Sequence, residues 1–518
     1  MLRRQRVSLT LLFVLLSIAF LLFVTPQSSA QEAHDHGAPE KLGTVSFPIS
    51  CEPAVQEQFN RGVALLHSFA YASAEQTFRG IVQAYPQCGM AHWGVAMTYF
   101  HPVWSPSLPP STFPAGQKEM LEATRLGANS DREREFIHAL GVLYQQSDAL
   151  TPAMRTLAYE QAMAKVAKHN SNDLESQVFY ALAILANVSP SDKTHAKQKQ
   201  AIAILEPLYA EYPNHPGIAH YLIHACDSQE LAERGLPAAR AYAQIAPSAP
   251  HALHMPSHIF TRLGLWDDSI ASNLASRQAA RQHGDTREEL HAMDYLAYAY
   301  LQTGHYEEVS QIIQDIKTMP KLDMSNFGTA YAVTAIPIRF AVERGRWDDA
   351  ANIVPPLDVP PSAAPPSVVA IAVWSRGLGL ARTGHAKEAR EQADRLRQIE
   401  AQLRASNDNY WSTQTGVLAG EVMAWSAQAS GDPHQALVLL RTAADQEDAI
   451  EKQPVTPGPI LPAREQLGDL LLQQKQPDLA LKEFQAALVE APRRRGALQG
   501  IARASQQNNQ AEQNLTKP

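Results

Sequence analysis

One spacing of small, aromatic and proline residues occurs twice in this chain, and it constrains the fold more tightly than any other feature. Gly62, Ala74, Phe78 and Pro86 are separated by 12, 4 and 8 residues, and Gly468, Ala480, Phe484 and Pro492 repeat those offsets near the other end. Each residue type has a packing reason. A glycine and an alanine let two antiparallel helices approach, an aromatic ring fills the space between hairpins, and a proline stops the second helix. A looser turn pattern lies between the two copies. It runs Gly264 to Ser269, Gly345 to Ala350, Gly384 to Ala389 and Gly431 to Ala436, with Gly304 to Val309 ending in a larger residue. Successive turns are 39 to 47 residues apart. Units recurring at such a period bury their apolar faces against one another, so they imply a stacked array.

These offsets resemble the tetratricopeptide repeat (TPR), whose units are helical hairpins with a small residue in the first helix and Ala, an aromatic and Pro in the second. The resemblance implies an all-α fold, a TPR-type helical-hairpin solenoid. Trp266, Tyr306 and Trp347 then read as hairpin packing. The stretches Arg61 to Phe69, Trp93 to Met97 and His254 to His258 further resemble a group of exported bacterial TPR proteins of unassigned activity. That resemblance covers most of the mature chain and brings no catalytic residues with it.

The start of the chain reads as a targeting segment. Arg3, Arg4 and Arg6 precede an apolar run from Leu9 to Val24, and Ser28 and Ala30 suit signal peptidase. Residues 1–30 are expected to be a cleaved signal peptide, with an uncleaved anchor as the alternative, and the mature protein to be periplasmic or secreted without a membrane span. Residues 31–50 read as a flexible lead, 51–354 as the N-terminal and central array, and 355–366 as a Pro-rich linker. Residues 367–505 read as a C-terminal array and 506–518 as a disordered tail. Loss of three leader arginines moves the formal charge from -8 to -11. That balance, with no basic stripe interleaved with aromatics, argues against nucleic acid as a partner.

Cys51, Cys88 and Cys226 are the cysteines. Cys51 precedes the first repeat helix and Cys88 opens the first helix of the next unit. A Cys51–Cys88 disulfide is within reach, and two buried thiols are the alternative.

One feature departs from an ordinary array. His220 and His224 form an HxxxH pair, and so do His254 and His258, 34 residues further on. Each pair lies on one helix face. Counted back from the small residues Gly235 and Ser269, the four occupy equivalent sites on adjacent first helices, sites that in TPR proteins line the concave groove. Neighbouring first helices pack at about 8–10 Å, so the four imidazoles are placed to converge on one ion. Zinc, copper, nickel or iron suits such a donor set. His251 and Asp227 share the face, and His291 and Asp294 align with His251 and His254 in the next unit. The aspartates are candidate ligands or acceptors that orient a ligating histidine.

No phosphate loop, GxSxG elbow or Cys–His nucleophile pair is present, and no organic cofactor is implied. The repeat architecture points to a scaffold binding a peptide or protein in its groove rather than to an enzyme. The alternative is a metal-binding protein or metal-dependent hydrolase built on the paired HxxxH cluster.

Overall fold

The computed structural model describes residues 40–103, 111–145, 150–320, 322–353 and 364–515. The expected leader and most of the Pro-rich linker lie outside them. The chain divides into units Met1–Lys41 and Leu42–Pro518, and the second carries all the helices described. They begin with α1 (Gln56–His67), α2 (Tyr71–Ala84), α3 (Gly89–Met97), α4 (Phe113–Leu126), α5 (Asp131–Leu143), α6 (Pro152–His169), α7 (Leu174–Leu185) and α8 (Ala196–Glu211). The middle holds α9 (Pro216–Ala225), α10 (Ala232–Ile245), α11 (Pro250–His254), α12 (Pro256–Arg262), α13 (Trp266–His283), α14 (Thr286–Thr303), α15 (Tyr306–Thr318), α16 (Phe327–Val342) and α17 (Trp347–Asn352). The last are α18 (Pro366–Arg382), α19 (Ala386–Ala405), α20 (Asn409–Ala429), α21 (Pro433–Asp448), α22 (Ala463–Gln473), α23 (Pro477–Glu490) and α24 (Arg495–Leu515).

Local chemistry starts and stops these helices. Ser130, Thr151, Asp173, Asp285, Asn326, Asp408 and Asp432 each accept a backbone N–H of the first turn. The turn glycines Gly264, Gly304, Gly345, Gly384 and Gly431 all have positive φ, which other residues adopt at a cost. In the two well-matched units the aromatic ring occupies glycine-made space. A Cβ at Gly62 or Gly94 would lie 2.6 or 2.4 Å from the Phe78 ring, and one at Gly468 or Gly500 would lie 2.6 or 2.3 Å from Phe484. The result is an array of TPR-type hairpins, each packed on its sequence neighbours.

The array also closes on itself. Helix α1 packs against α9, and α14 against α24. The apolar core of the described residues falls into two large clusters, one spanning residues 42–260 and the other 290–504, and a small third of Trp266, Tyr298 and Ala299.

Two expectations about the ends are corrected. Residues 42–50 are no loose lead, because Phe47 is buried among Phe59, Trp93, Phe136 and Phe179, with ring centroids 5.0 to 6.2 Å away. At the far end, α24 continues to Leu515 through residues expected to be disordered.

Cys51 and Cys88 are joined by a disulfide, and Cys226 is a buried thiol. The bridge spans 37 residues. Replacing both cysteines by alanine is expected to cost about 2–4 kcal/mol of stability, mainly through the looser unfolded chain. Urea denaturation of the oxidised protein beside the double variant measures it.

Candidate metal centre

Helices α9, α11, α12 and α14 place six histidines together as two trios. His220 and His224 of α9 meet His251 of α11, and His254 and His258 of α11 and α12 meet His291 of α14. Within each trio the candidate ligand atoms lie within 4.8 Å of one another. Pro256 lacks the N–H that would continue the helix, so the chain breaks at Met255 between α11 and α12. His254 and His258 nevertheless stay on one face, with Nε2 atoms 3.0 Å apart.

The outer hydrogen bonds determine which nitrogen faces inward. His220 Nδ1 donates to the His67 carbonyl at 2.6 Å, and His251 Nδ1 to Glu288 Oε1 at 3.0 Å. His254 Nδ1 donates to Asn273 Oδ1 at 2.6 Å, and Asn273 Nδ2 is itself spent on the Ser269 carbonyl. His258 Nδ1 donates to Asp227 Oδ2 at 2.9 Å. A carbonyl or carboxylate can only accept, so each of these imidazoles carries its proton on Nδ1 and a lone pair on Nε2. His220 Nε2 and both ring nitrogens of His224 are buried without a hydrogen-bond partner. Each buried polar atom left so costs about 1–3 kcal/mol.

The 3.0 Å contact between His254 and His258 therefore joins two acceptors. It needs a proton or a cation between them. Burial works against the proton. It pushes His254 well below the ordinary histidine range, with the neighbouring imidazoles adding to the effect. Burial also lowers His258 to about 4, although Asp227 opposes it. His220, His224 and His291 are pushed well down by the same desolvation. Neutral imidazoles with inward lone pairs, held by acceptors at the outer nitrogen, fit a transition-metal ion.

Aromatic rings and a strap cover the centre. Phe69, at the α1–α2 turn, lies 4.3, 5.6 and 5.8 Å from the rings of His220, His224 and His251. Tyr295 covers the second trio, 4.7 and 4.9 Å from His254 and His258. Its hydroxyl is 3.2 Å from the carbonyl oxygens of both Pro454 and Thr456. These belong to residues 449–462, between α21 and α22, which cross the first helices of the central units. Lys452 reaches Asp227 at 2.8 Å, the Glu451 N–H reaches the Pro190 carbonyl at 2.8 Å, and Arg339 binds the Pro459 carbonyl at 2.8 Å. Beneath this strap is a cavity of about 140 Å³ whose lining includes Tyr331, Trp374, Trp411 and Glu421 and none of the six histidines.

Several expectations change. The two HxxxH pairs fall into separate trios, because each pair faces the histidine one turn earlier on the next first helix. The histidines do not line an open groove, since His220 and His254 are 0% exposed and the strap lies across their units. Asp227 is an orienting acceptor for His258, also bound by Arg262 and Lys452. Asp294 does not reach the histidines. It faces Arg339 at 3.8 Å, and burial raises it to about 6 against the pull of that arginine.

The sequence reading missed a third buried group. Glu175 bridges His67 Nε2 at 2.9 Å and His215 Nε2 at 3.0 Å. His67 Nδ1 meets the Tyr221 hydroxyl at 2.9 Å, and His215 Nδ1 accepts the Ile218 N–H at 3.3 Å. Every imidazole nitrogen there has a protein partner, so this group reads as structural. No local signal links residues this far apart in sequence. Among the outer partners, Asp227 was reached by spacing, and Glu288, one turn before His291, lay within reach of the same argument.

No family model matches the sequence, and no curated protein matches it. Among solved structures, yeast Tom70 is 11% identical with a TM-score of 0.34, over 89% of this chain and 96% of that one. The P58(IPK) TPR domain is 13% identical with a TM-score of 0.23, over 88% and 99%. A chain of the APC/C Cut9–Hcn1 hetero-tetramer is 11% identical with a TM-score of 0.30, over 87% and 89%. Likeness at these scores is slight, and the repeat assignment rests on the chain's own hairpins.

Proposed function

We propose that this TPR-type hairpin array is a metalloprotein whose buried histidines hold a transition metal, copper or zinc foremost. The observation that carries the reading is the 3.0 Å approach of His254 Nε2 to His258 Nε2, two lone-pair atoms by virtue of their outer partners. An all-imidazole donor set suits these metals, and copper binds such sites most tightly of the first-row dications. Export to the periplasm or beyond is part of the proposal. The leader-like residues 1–30 support it, and the Cys51–Cys88 bridge suits an oxidising compartment.

The test is elemental analysis of the untagged protein, as purified and after reconstitution with copper or zinc. Stoichiometric metal is expected, with marked loss in the His224→Ala/His258→Ala double variant. A wild-type protein that retains neither metal after reconstitution refutes the proposal.

A second reading, partner binding, is favoured by the hairpin array itself, an architecture that builds extended binding surfaces. The strap takes the inner face at the histidine repeats, so a peptide or protein partner would dock on other units.

A further inference from the structure

We infer that the histidine cluster holds two metal ions, one in each trio, because the repeat has duplicated a three-nitrogen site. The inference rests on the metalloprotein reading and adds to it the number and position of the ions.

The donors divide in space. Donor atoms within a trio lie within 4.8 Å of one another. An ion with nitrogens at about 2.0–2.1 Å spans donors up to about 4 Å apart, so one trio matches one ion after a small adjustment. The donor atoms fall into these two groups although the rings form one continuous cluster, with centroids of His224 and His258, and of His251 and His254, 5.9 Å apart and those of His258 and His291 6.2 Å apart. One ion shared by all six would have to draw in side chains held outward by His67, Glu288, Asn273 and Asp227.

The arrangement is also the same structural unit used twice. Each trio is an HxxxH pair on one first helix plus the histidine that precedes the next unit's register position by one turn. His220 and His224 take His251, and His254 and His258 take His291. Each trio has its own aromatic cover, Phe69 or Tyr295.

The series stops at both ends for visible reasons. In the following unit Asp294 and Tyr298 occupy the HxxxH positions, so no histidine pair stands there, and Arg339 lies 3.8 Å from the Asp294 carboxylate while Arg494 donates to the Tyr298 hydroxyl at 3.2 Å. In the preceding direction Gly217 stands where His251 and His291 stand in their units. A Cβ there would lie 2.6 Å from His67 Nδ1, so α1 fills the space a further histidine would need. Among the described residues this repeat series therefore gives two sites.

The experiment is metal stoichiometry on the full-length, untagged protein loaded with copper(II) or zinc(II). Two ions per chain are expected in the wild type, one in His220→Gln, one in His291→Gln and none in the double variant. Circular dichroism of each variant reports folding. A copper(II) titration of the wild type, followed by electron paramagnetic resonance, needs no variant. The second equivalent is expected to broaden or quench the signal of the first, as neighbouring spins do. A wild-type endpoint of one ion per chain, with an isolated-copper signal and complete loss in either variant, overturns the two-ion inference and leaves the metalloprotein reading standing. Absence of any bound metal overturns both.

Discussion

Asp227→Ala is expected to cost about 3–5 kcal/mol of stability, the usual penalty for removing one partner from a buried ion pair. Asp227 is 5% exposed at its side chain and receives Lys452 Nζ at 2.8 Å, Arg262 Nε at 2.9 Å and His258 Nδ1 at 2.9 Å. Burial alone would raise its carboxyl, yet Lys452 and Arg262 hold it well below the usual range. Without it two cations stay buried with one partner fewer. Lys452, already lowered to about 8 by burial, then loses the charge that opposes its neutralisation. The strap loses one of its anchors on the histidine units at the same time. Metal affinity should also fall about 10–100-fold, because the carboxylate that holds the His258 proton on Nδ1 is gone. Urea denaturation and a competitive metal titration give the two readouts. Asp227→Asn should fall between wild type and alanine in both. A stability loss below about 1 kcal/mol for Asp227→Ala would remove the network from any account of the strap.

Glu175→Ala is expected to cost about 1–3 kcal/mol for each of the two buried imidazole N–H groups left without an acceptor, while leaving the metal content of the folded protein unchanged. Glu175 is 0% exposed and accepts from imidazoles on two separate elements, His67 ending α1 and His215 capping α9. It thereby fastens the contact between α1 and α9 that closes the first half of the array. Burial would raise its carboxyl, but His67 and His215 together draw it well below the carboxylate range. A depressed folded value means that the stabilisation is present above the unfolded pKa of about 4.3 and is lost as the pH falls through the folded value. The wild type should therefore outperform Glu175→Gln at neutral pH and lose that margin on acidification. Thermal unfolding across pH, with elemental analysis of the same samples, checks both parts. Metal loss from folded Glu175→Ala would show that this third group is part of the metal site and would undo its structural assignment.

The contrast between these clusters explains why residue type alone did not identify the site. His67 and His215 are as buried as His254 and His258. What separates them is whether the remaining lone pair has a protein partner. That depends on outer acceptors such as Asn273 and Asp227, which lie 19 and 31 residues from the histidines they orient. The register argument aligned His291 with His251. It could not show that each faces the HxxxH pair of the preceding unit rather than the histidines of its own. Asp294 was placed by the same register, and its carboxylate faces Arg339 at 3.8 Å rather than the histidines.

What the sequence determined by itself was local. The helical period puts residues four apart on one face, glycine permits the positive φ of the turns, and Gly62, Phe78, Gly468 and Phe484 specify hairpins that stack. Those rules act within a few turns of chain, so the all-helical repeat architecture and both HxxxH faces were legible. The tertiary structure decided the rest. It split the six histidines into two trios, bent α1 back onto α9, and brought Lys452 to Asp227 across 225 residues. The stagger between helices and the crossing of a strap depend on how whole faces pack, and no local spacing encodes that.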